Sequence, residues 1–374
     1  MMNRRDLLLT AAAVGASAAL PAFAQSSRAI CYNCPPEWAD WGGMLRMVNQ
    51  RLGIQVPPDN KNSGQSLAAL IAEKAKPVAD VVYLGGQVGP QAKAAGVIEA
   101  YKPKRWADIP ASLKDAEGSW FTIHSGTLGF FVNTQALRGK PVPRSWADLL
   151  KPEYKGLVGY LNPGSAAVGQ VGVISANLAL GGSYENLDPG IKFFKQLQAN
   201  SPIVPTQTAY ARVLSGEIPI LIDYDFNAYR GQYGDQAPTV FVIPQEGTQQ
   251  LPYVMGLVKN GPNPEQGKKL LDFVLSDEGQ SHWANAYLRP VFSAAMSADV
   301  KNASCPIPST SVPRRSMCRS CRWHPKPLAS ATKRKSADEI GPRLAAGADA
   351  SMRGRFSGVL CDSLDAAAPD RGKR

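Results

Sequence analysis

Between residues 29 and 101 short apolar runs alternate with helix-forming stretches, and this alternation restricts the possible folds more than any other feature of the chain. The run 29–34 is apolar. Pro35-Pro36 then opens a helical stretch, EWADWGGMLRMVNQRLG, that stops at Gly53, a residue type that readily takes the left-handed conformation closing helices. A strand, a polar loop and a helix over 63–75 follow. Next come the apolar strand 80–84, ending in Gly85-Gly86, and a short helix in VGPQAKAAGVIEAY. The order β-α-β-α-β predicts an α/β fold with a parallel sheet covered by helices. Further on, FTIHSGTLGFFVNTQAL reads as two extended runs around Ser125-Gly126-Thr127. A helix opens at 162–165, and a buried strand spans 218–223. Two strands and two helices finish the body.

The chain has 374 residues, of which 44% are hydrophobic. That is too long for one small domain and suggests two lobes plus extensions. Residues 1–25 carry Arg4 and Arg5, an apolar run from Leu7 to Leu20, and Ala22-Phe23-Ala24 at the end. This is the layout of a secretory signal cleaved before Gln25. The Arg pair leans towards the twin-arginine route. The apolar run is shorter than the roughly 20 residues that span a bilayer.

The net charge of +11 is unevenly placed. Residues 26–303 hold 25 basic and 23 acidic side chains, whereas residues 304–374 hold 14 basic and 6 acidic. The body is therefore nearly neutral, which argues against nucleic-acid binding by the folded part. Four of the six cysteines, Cys305, Cys318, Cys321 and Cys361, also lie after residue 303. That region has no sustained period and reads as a basic disordered tail. A second reading stays open, in which the tail is the product of a shifted reading frame. Cys318, Cys321 and His324 match no usual closed zinc set, so no metal or cofactor is expected.

Several phrases in the body carry a resemblance. WADLLKPEYKG, LSDEGQ, SGTLGFFVNTQAL and the pair ADVVYLGG and AAGVIEAYKP resemble those of the extracellular solute-binding proteins of ABC importers, in the group that includes ferric-iron, polyamine and phosphonate binders. The likeness covers about residues 28–300. It implies a two-lobe periplasmic-binding-protein fold, type 2-like, with hinge crossover strands near 127–132 and 236–243. Lobe one would be 26–128 plus 244–303, and lobe two 129–243. It also implies a periplasmic, monomeric protein that catalyses nothing, binds a small-molecule solute by hinge closure and delivers it to a membrane permease.

In open α/β folds ligands sit beyond the carboxyl ends of strands, near helix N-termini. That rule selects Asn33 and Cys34 after the first strand, Ser63 and Gly64 at a helix start, and Gly85 and Gly86 after the next strand. It adds Ser125 and Thr127 at the crossover and Ser165 at a second helix start. Asp223, Tyr224 and Asp225 follow the buried strand. The two carboxylates around Tyr224 suit an ammonium group, with Trp38 and Trp41 as further aromatic faces. The Ser- and Gly-rich helix starts suit an anion such as an organophosphonate. The expectation leans to an amine or polyamine. Ferric iron is a further candidate, although Phe226-Asn227 stands where a tyrosine pair is expected. A rival of another class is a thiol oxidoreductase using Cys31 and Cys34, because strand, C-x-x-C, helix is a layout that lowers a thiol pKa. In an oxidising compartment the same pair can instead form a local disulfide.

Overall fold

A computed structural model describes residues 27–292. The expectations about the leader and the tail fall outside these residues. The first part contains β1 (Ser27–Arg28), β2 (Cys31–Tyr32), α1 (Trp41–Leu52), β3 (Ile54–Gln55), α2 (Ser63–Ala72), β4 (Val81–Gly85), α3 (Gly89–Ala94), β5 (Ile98–Glu99) and β6 (Phe121–Asn133). Then follow β7 (Val158–Gly159), α4 (Ala167–Ala179), α5 (Asp188–Leu197), α6 (Tyr210–Leu214), β8 (Ile220–Tyr224) and α7 (Asp225–Tyr229). The last part is β9 (Thr239–Val242), β10 (Gln250–Val258), α8 (Pro264–Val274), α9 (Asp277–Asn285) and β11 (Arg289–Pro290).

The local rules that shape these elements are visible in the side chains. Helix α1 buries Trp41, Met44, Leu45 and Val48, one stripe at helical spacing. Asp40 caps its start by accepting from Gly43 N–H, and Gly53 ends it at φ 65°. Strand β4 is buried at all five positions. Val81 and Tyr83 enter the larger apolar core, and Val82 and Leu84 the smaller one. The period of two thus feeds a core on each face of the sheet.

The main sheet runs β2-β4-β10-β6-β8-β7, with β5 on β10 and both β9 and β11 on β6. It is mixed. Only β2–β4 and β7–β8 are parallel within it, while β10 and β6 pair antiparallel with their neighbours. The expectation of a parallel sheet is corrected here, because the chain returns late, through β10, to insert between β4 and β6. A second correction concerns residues 121–133. These form one continuous strand of 13 residues, not two runs around Ser125-Gly126-Thr127.

Strand β6 changes partners midway. Up to Thr127 it pairs with β10, and from Leu128 onward with β8 and then β9. At the change, Leu128 N–H donates to Gln249 C=O at 3.0 Å and Thr127 N–H donates to Asp225 Oδ1 at 3.0 Å. The return path from β9 to β10 runs through 243–249. Helices α2 and α4 bring their N-termini to the same place, where Gly64 N–H donates to Ser165 C=O.

Candidate functional site

The place where α2 and α4 meet is a cavity of about 40 Å³. One wall comprises Asn33, Pro35 and Trp38 from the loop after β2, with residues 60–63 leading into α2. The opposite wall is Leu161, Ala166, Ala167 and Val168 at the start of α4, with Gln207 and Thr208 before α6. Tyr253 of β10 closes the lining. Lys61 is the only ionic side chain in it. Its ammonium lies 2.6 Å from Asp59 Oδ2 and 4.0 Å from the centre of the Tyr32 ring.

The two helix starts differ in how they satisfy their first N–H groups. At α2 the Asn62 side chain accepts from Gln65 N–H at 3.0 Å and the Gln65 side chain accepts from Asn62 N–H at 2.9 Å, a reciprocal capping box. Gly64 N–H donates to Ser165 C=O at 2.9 Å, directly from one wall to the other. At α4 the cap position is Ala166, whose side chain has no oxygen to offer and makes no capping bond. The N–H groups of Ala167, Val168 and Gly169 therefore lack an intrahelical acceptor and a side-chain cap. They also carry the positive end of a 13-residue helix.

Two glycines let the walls come together. A Cβ on Gly64 would lie 2.1 Å from Ser165 O, and one on Gly85 would lie 2.5 Å from the Ala167 Cβ. Gln87 spans the same gap, donating through Nε2 to Ala167 C=O at 3.1 Å. Asn62 Nδ2 reaches Thr206 C=O at 3.5 Å, and Gln207 Nε2 reaches Gln65 Oε1 at 3.3 Å.

Of the residues selected from sequence, Asn33, Trp38 and Ser63 line the cavity. Asn33 Nδ2 donates to Ser63 Oγ at 3.2 Å and to Tyr83 C=O at 2.7 Å, which fixes the loop after β2 to the start of α2. Ser63 Oγ also accepts from Gly85 N–H at 3.0 Å. Trp38 is held by its indole N–H, which donates to the Tyr83 hydroxyl at 3.2 Å. Gly64, Gly85 and Ser165 form the wall-to-wall contacts just described. Gly86 is buried beside Pro252. Ser125 accepts from Gln250 Nε2 at 2.9 Å on β6, away from the lining.

Six residues expected at the ligand lie behind the cavity or beside it. Cys34 is fully buried and joined to Cys31 in a disulfide. The strand, C-x-x-C, helix layout is not formed, because α1 begins at Trp41, seven residues after Cys34. Asp223, Tyr224 and Asp225 are buried and line no part of the cavity. Asp225 accepts from Thr127 N–H and pairs with Arg289, a partner 64 residues away. Burial raises its carboxyl and the Arg289 guanidinium pulls it back. Asp223 accepts from Tyr224 N–H at 2.8 Å and from Asn227 Nδ2 at 3.0 Å. Burial pushes its pKa up to about 7, against the pull of those two hydrogen bonds. Thr127 lies with Asp225 where β6 changes partners and does not line the cavity. Trp41, the other expected aromatic face, packs on Trp283 and Tyr83 in the core.

Behind Trp38 lies an aromatic cluster that sequence reasoning missed. Tyr83 stacks on Tyr253 with ring centres 4.9 Å apart, and His124 stacks on Tyr253 at 5.5 Å. His124 Nε2 is 3.0 Å from the Tyr83 hydroxyl, and burial lowers its pKa to about 3, so the ring is neutral. No group of three or more His, Cys, Asp or Glu suited to a metal ion occurs among the described residues.

The model of the family described as bacterial extracellular solute-binding protein matches residues 76–309. An uncharacterized protein of Haemophilus influenzae is 29% identical over 293 residues, covering 74% of this chain and 82% of its own. A putative 2-aminoethylphosphonate-binding periplasmic protein of Salmonella typhimurium is 29% identical over 235 residues, 61% of this chain and 67% of its own. Among solved structures, the periplasmic binding protein AfuA of Actinobacillus pleuropneumoniae, with fructose-6-phosphate bound, is 25% identical with a TM-score of 0.64. It covers 73% of this chain and 88% of its own. Iron-bound HitA of Pseudomonas aeruginosa, 20% identical over 71% of this chain and 86% of its own, has a TM-score of 0.56 and shares the fold. Both the sequence match and the mixed α/β architecture, which its structural neighbours have as the type 2 periplasmic-binding fold, lead to one assignment: the chain belongs to the bacterial extracellular solute-binding proteins.

Proposed function

We propose that this protein is the periplasmic solute-binding component of an ABC importer and that its solute is a small anion carrying a phosphonate or phosphate-ester group. The observation that carries the reading is the cavity lining, where an uncapped helix N-terminus faces a second helix start with Lys61 as the only ionic side chain. A helix N-terminus binds anions through its free N–H groups and its dipole.

Two of the similar proteins support this reading. The Salmonella protein is named for an aminophosphonate, and AfuA is seen with a sugar phosphate. Their ligands share the phosphoryl group and little else. The amine reading loses its basis in the cavity, since Asp225 pairs with Arg289 and Asp223 bonds to Asn227, both outside the lining. Iron has no cluster of acidic or nitrogen ligands to draw on among the described residues.

The mechanism we infer is closure of two lobes about β6, with lobe one as 26–128 plus 244–303 and lobe two as 129–243. Its support is the change of partners in β6 and the return path through 243–249. A ligand held by α2 on one side and α4 on the other would favour the closed form, which would dock on a membrane permease. No helix among the described residues is long and apolar enough to cross a membrane.

The test is a thermal melt of the full chain with 2-aminoethylphosphonate, fructose 6-phosphate, spermidine and ferric citrate. A ligand at about 100 times its Kd adds roughly 2.7 kcal/mol of stability. An upward shift with the phosphoryl compounds alone is expected. A shift with spermidine or ferric citrate, and none with either phosphoryl compound, would overturn the reading.

A further inference from the structure

We propose that Arg230 is a positioning residue that latches the two walls of the cavity together. Held on one lobe, its guanidinium bonds a backbone carbonyl of the loop that carries Pro35 and Trp38 on the other. The inference deepens the functional reading above and rests on its two-lobe closure, not on the identity of the solute.

Arg230 opens a π-helical turn, Arg230–Gly234, that follows α7. Asp235 N–H donates to Arg230 C=O at 2.9 Å, the i to i+5 bond of such a turn. The guanidinium lies over the Tyr210 ring, 4.8 Å from its centre, and the Tyr210 hydroxyl donates to Asp235 Oδ2 at 2.6 Å. Arg230 Nε is 3.9 Å from that same oxygen, too far for a hydrogen bond. The well-formed bond is the one that leaves the lobe: Arg230 Nη1 donates to Glu37 C=O at 3.0 Å, between residues 193 apart in sequence. Glu37 stands in a tight turn closed by Trp38 N–H donating to Pro35 C=O at 3.1 Å. Pro35 and Trp38 both line the cavity, so the bond to Glu37 ties that wall to the lobe that carries α4.

A second contact joins the same two parts of the chain. Tyr233, in the π-helical turn, is 49% exposed, yet its ring centre lies 6.0 Å from that of Tyr287, just before β11. Tyr287 stands at φ 67°, which is uncommon for a bulky side chain. Both contacts are made in the same arrangement as the bond from Gly64 N–H to Ser165 C=O across the cavity. A contact made only when the walls are together favours that arrangement whatever the solute. Removing it lowers the fraction of molecules with the walls together, and apparent affinity falls by the factor by which that binding-competent fraction falls.

The experiment is amide hydrogen exchange of the full chain without solute, comparing the parent with Arg230→Ala, Tyr233→Ala and Tyr233→Phe. The Gly64 N–H is covered by Ser165 C=O from the opposite wall, so its exchange reports separation of the walls. Amides of β4 and β8, one strand in each lobe, report unfolding. A partly exposed hydrogen bond from a charged donor corresponds to about a 5- to 20-fold change in an equilibrium. Arg230→Ala should speed Gly64 exchange by that factor and leave β4 and β8 unchanged. Tyr233→Ala should speed it about threefold, and Tyr233→Phe, which keeps the ring, by less than about twofold. Tyr233→Ala, at an exposed position, decides the matter if Arg230→Ala does not fold. Calorimetric titration with 2-aminoethylphosphonate and fructose 6-phosphate should show Arg230→Ala weakened, by the same factor as its exchange, for the compound that the parent binds. Parent-like exchange at Gly64 in Arg230→Ala and Tyr233→Ala would overturn the latch while leaving closure intact. So would equal acceleration at Gly64, β4 and β8, which would make Arg230 structural support only. A parent in which Gly64 exchanges no faster than β4 and β8 would overturn closure and the latch together. Binding of neither compound by the parent would overturn the phosphoryl reading alone, because the exchange comparison needs no solute.

Discussion

Helices α2 and α4 aim their N-termini at one cavity from opposite walls, yet only α2 is capped by its own chain. Asn62 and Gln65 close a reciprocal box at α2, while α4 begins at Ala166 with no capping bond. The first arrangement is complete in itself and holds the wall in shape. The second is incomplete, and its free N–H groups are directed at the space where a ligand would lie. The contrast separates support from binding within one small region. A capped start loses stability when its cap is removed. An uncapped start loses binding when a cap is supplied.

The strongest way to break this contrast is to cap α4. Ala166→Asp places a carboxylate against the free N–H groups. It is expected to raise the stability of the unliganded protein by about 0.5–2 kcal/mol and to weaken phosphoryl binding by about 100-fold or more, since like charges then compete for one site. A melt and a calorimetric titration check both halves. Unchanged affinity in this variant would show that α4 does not hold the ligand.

Removing the Lys61 charge comes next. Lys61→Met should lower affinity by about tenfold and flatten its salt dependence, because a partly exposed charge is screened by salt. Titrations at low and high ionic strength give the comparison. The capped start should respond in the opposite sense to α4. Asn62→Ala is expected to cost about 1 kcal/mol of stability while affinity stays within about threefold, read from denaturant unfolding and titration of the same sample.

The smallest effect on binding is expected at Asp223, which lies outside the cavity. Its folded-state pKa of about 7 stands above the ordinary value of 3.8. Below about pH 4 both folded and unfolded chains carry the proton. Between about pH 4 and 7 only the folded chain does, so its contribution to stability is progressively lost as pH rises, and levels off above about 7. Asp223→Asn should remove that slope and be more stable than the parent by about 1–3 kcal/mol near pH 8. The Asn227 amide, whose Oδ1 has no partner, can turn to accept from the new amide. Chemical denaturation across this range measures the slope, and affinity should not change.

What could be read from the sequence follows how local each cause is. The stripe of α1 and the fully apolar run of β4 depend on neighbouring residues, so they were legible. The unbroken course of β6 through Ser125-Gly126-Thr127 was not, because it is imposed by β10, which arrives more than a hundred residues later. In the site, Asn33, Trp38 and Ser63 follow from the rule that ligands gather beyond strand ends. Lys61 was hidden in a polar stretch, DNKNSG, that reads as any loop. The start of α4 was approached through Ser165, read as the helix start, whereas the helix begins two residues later at Ala167 with no side-chain cap, so its chemistry belongs to the backbone. Asp223 and Asp225 read as a cation site because two carboxylates stand at a strand end; their burial, and the pairing of Asp225 with Arg289 from far along the chain, could not be read there.

The central claim is that the uncapped start of α4 holds a phosphoryl group. It is tested most directly by phosphorus NMR of 2-aminoethylphosphonate with the full chain, compared with the same titration of Ala166→Asp. The account predicts a shifted, saturable bound resonance with the parent that spermidine does not displace and that disappears in the variant. A bound resonance of equal strength in Ala166→Asp, or one displaced by spermidine, would contradict it.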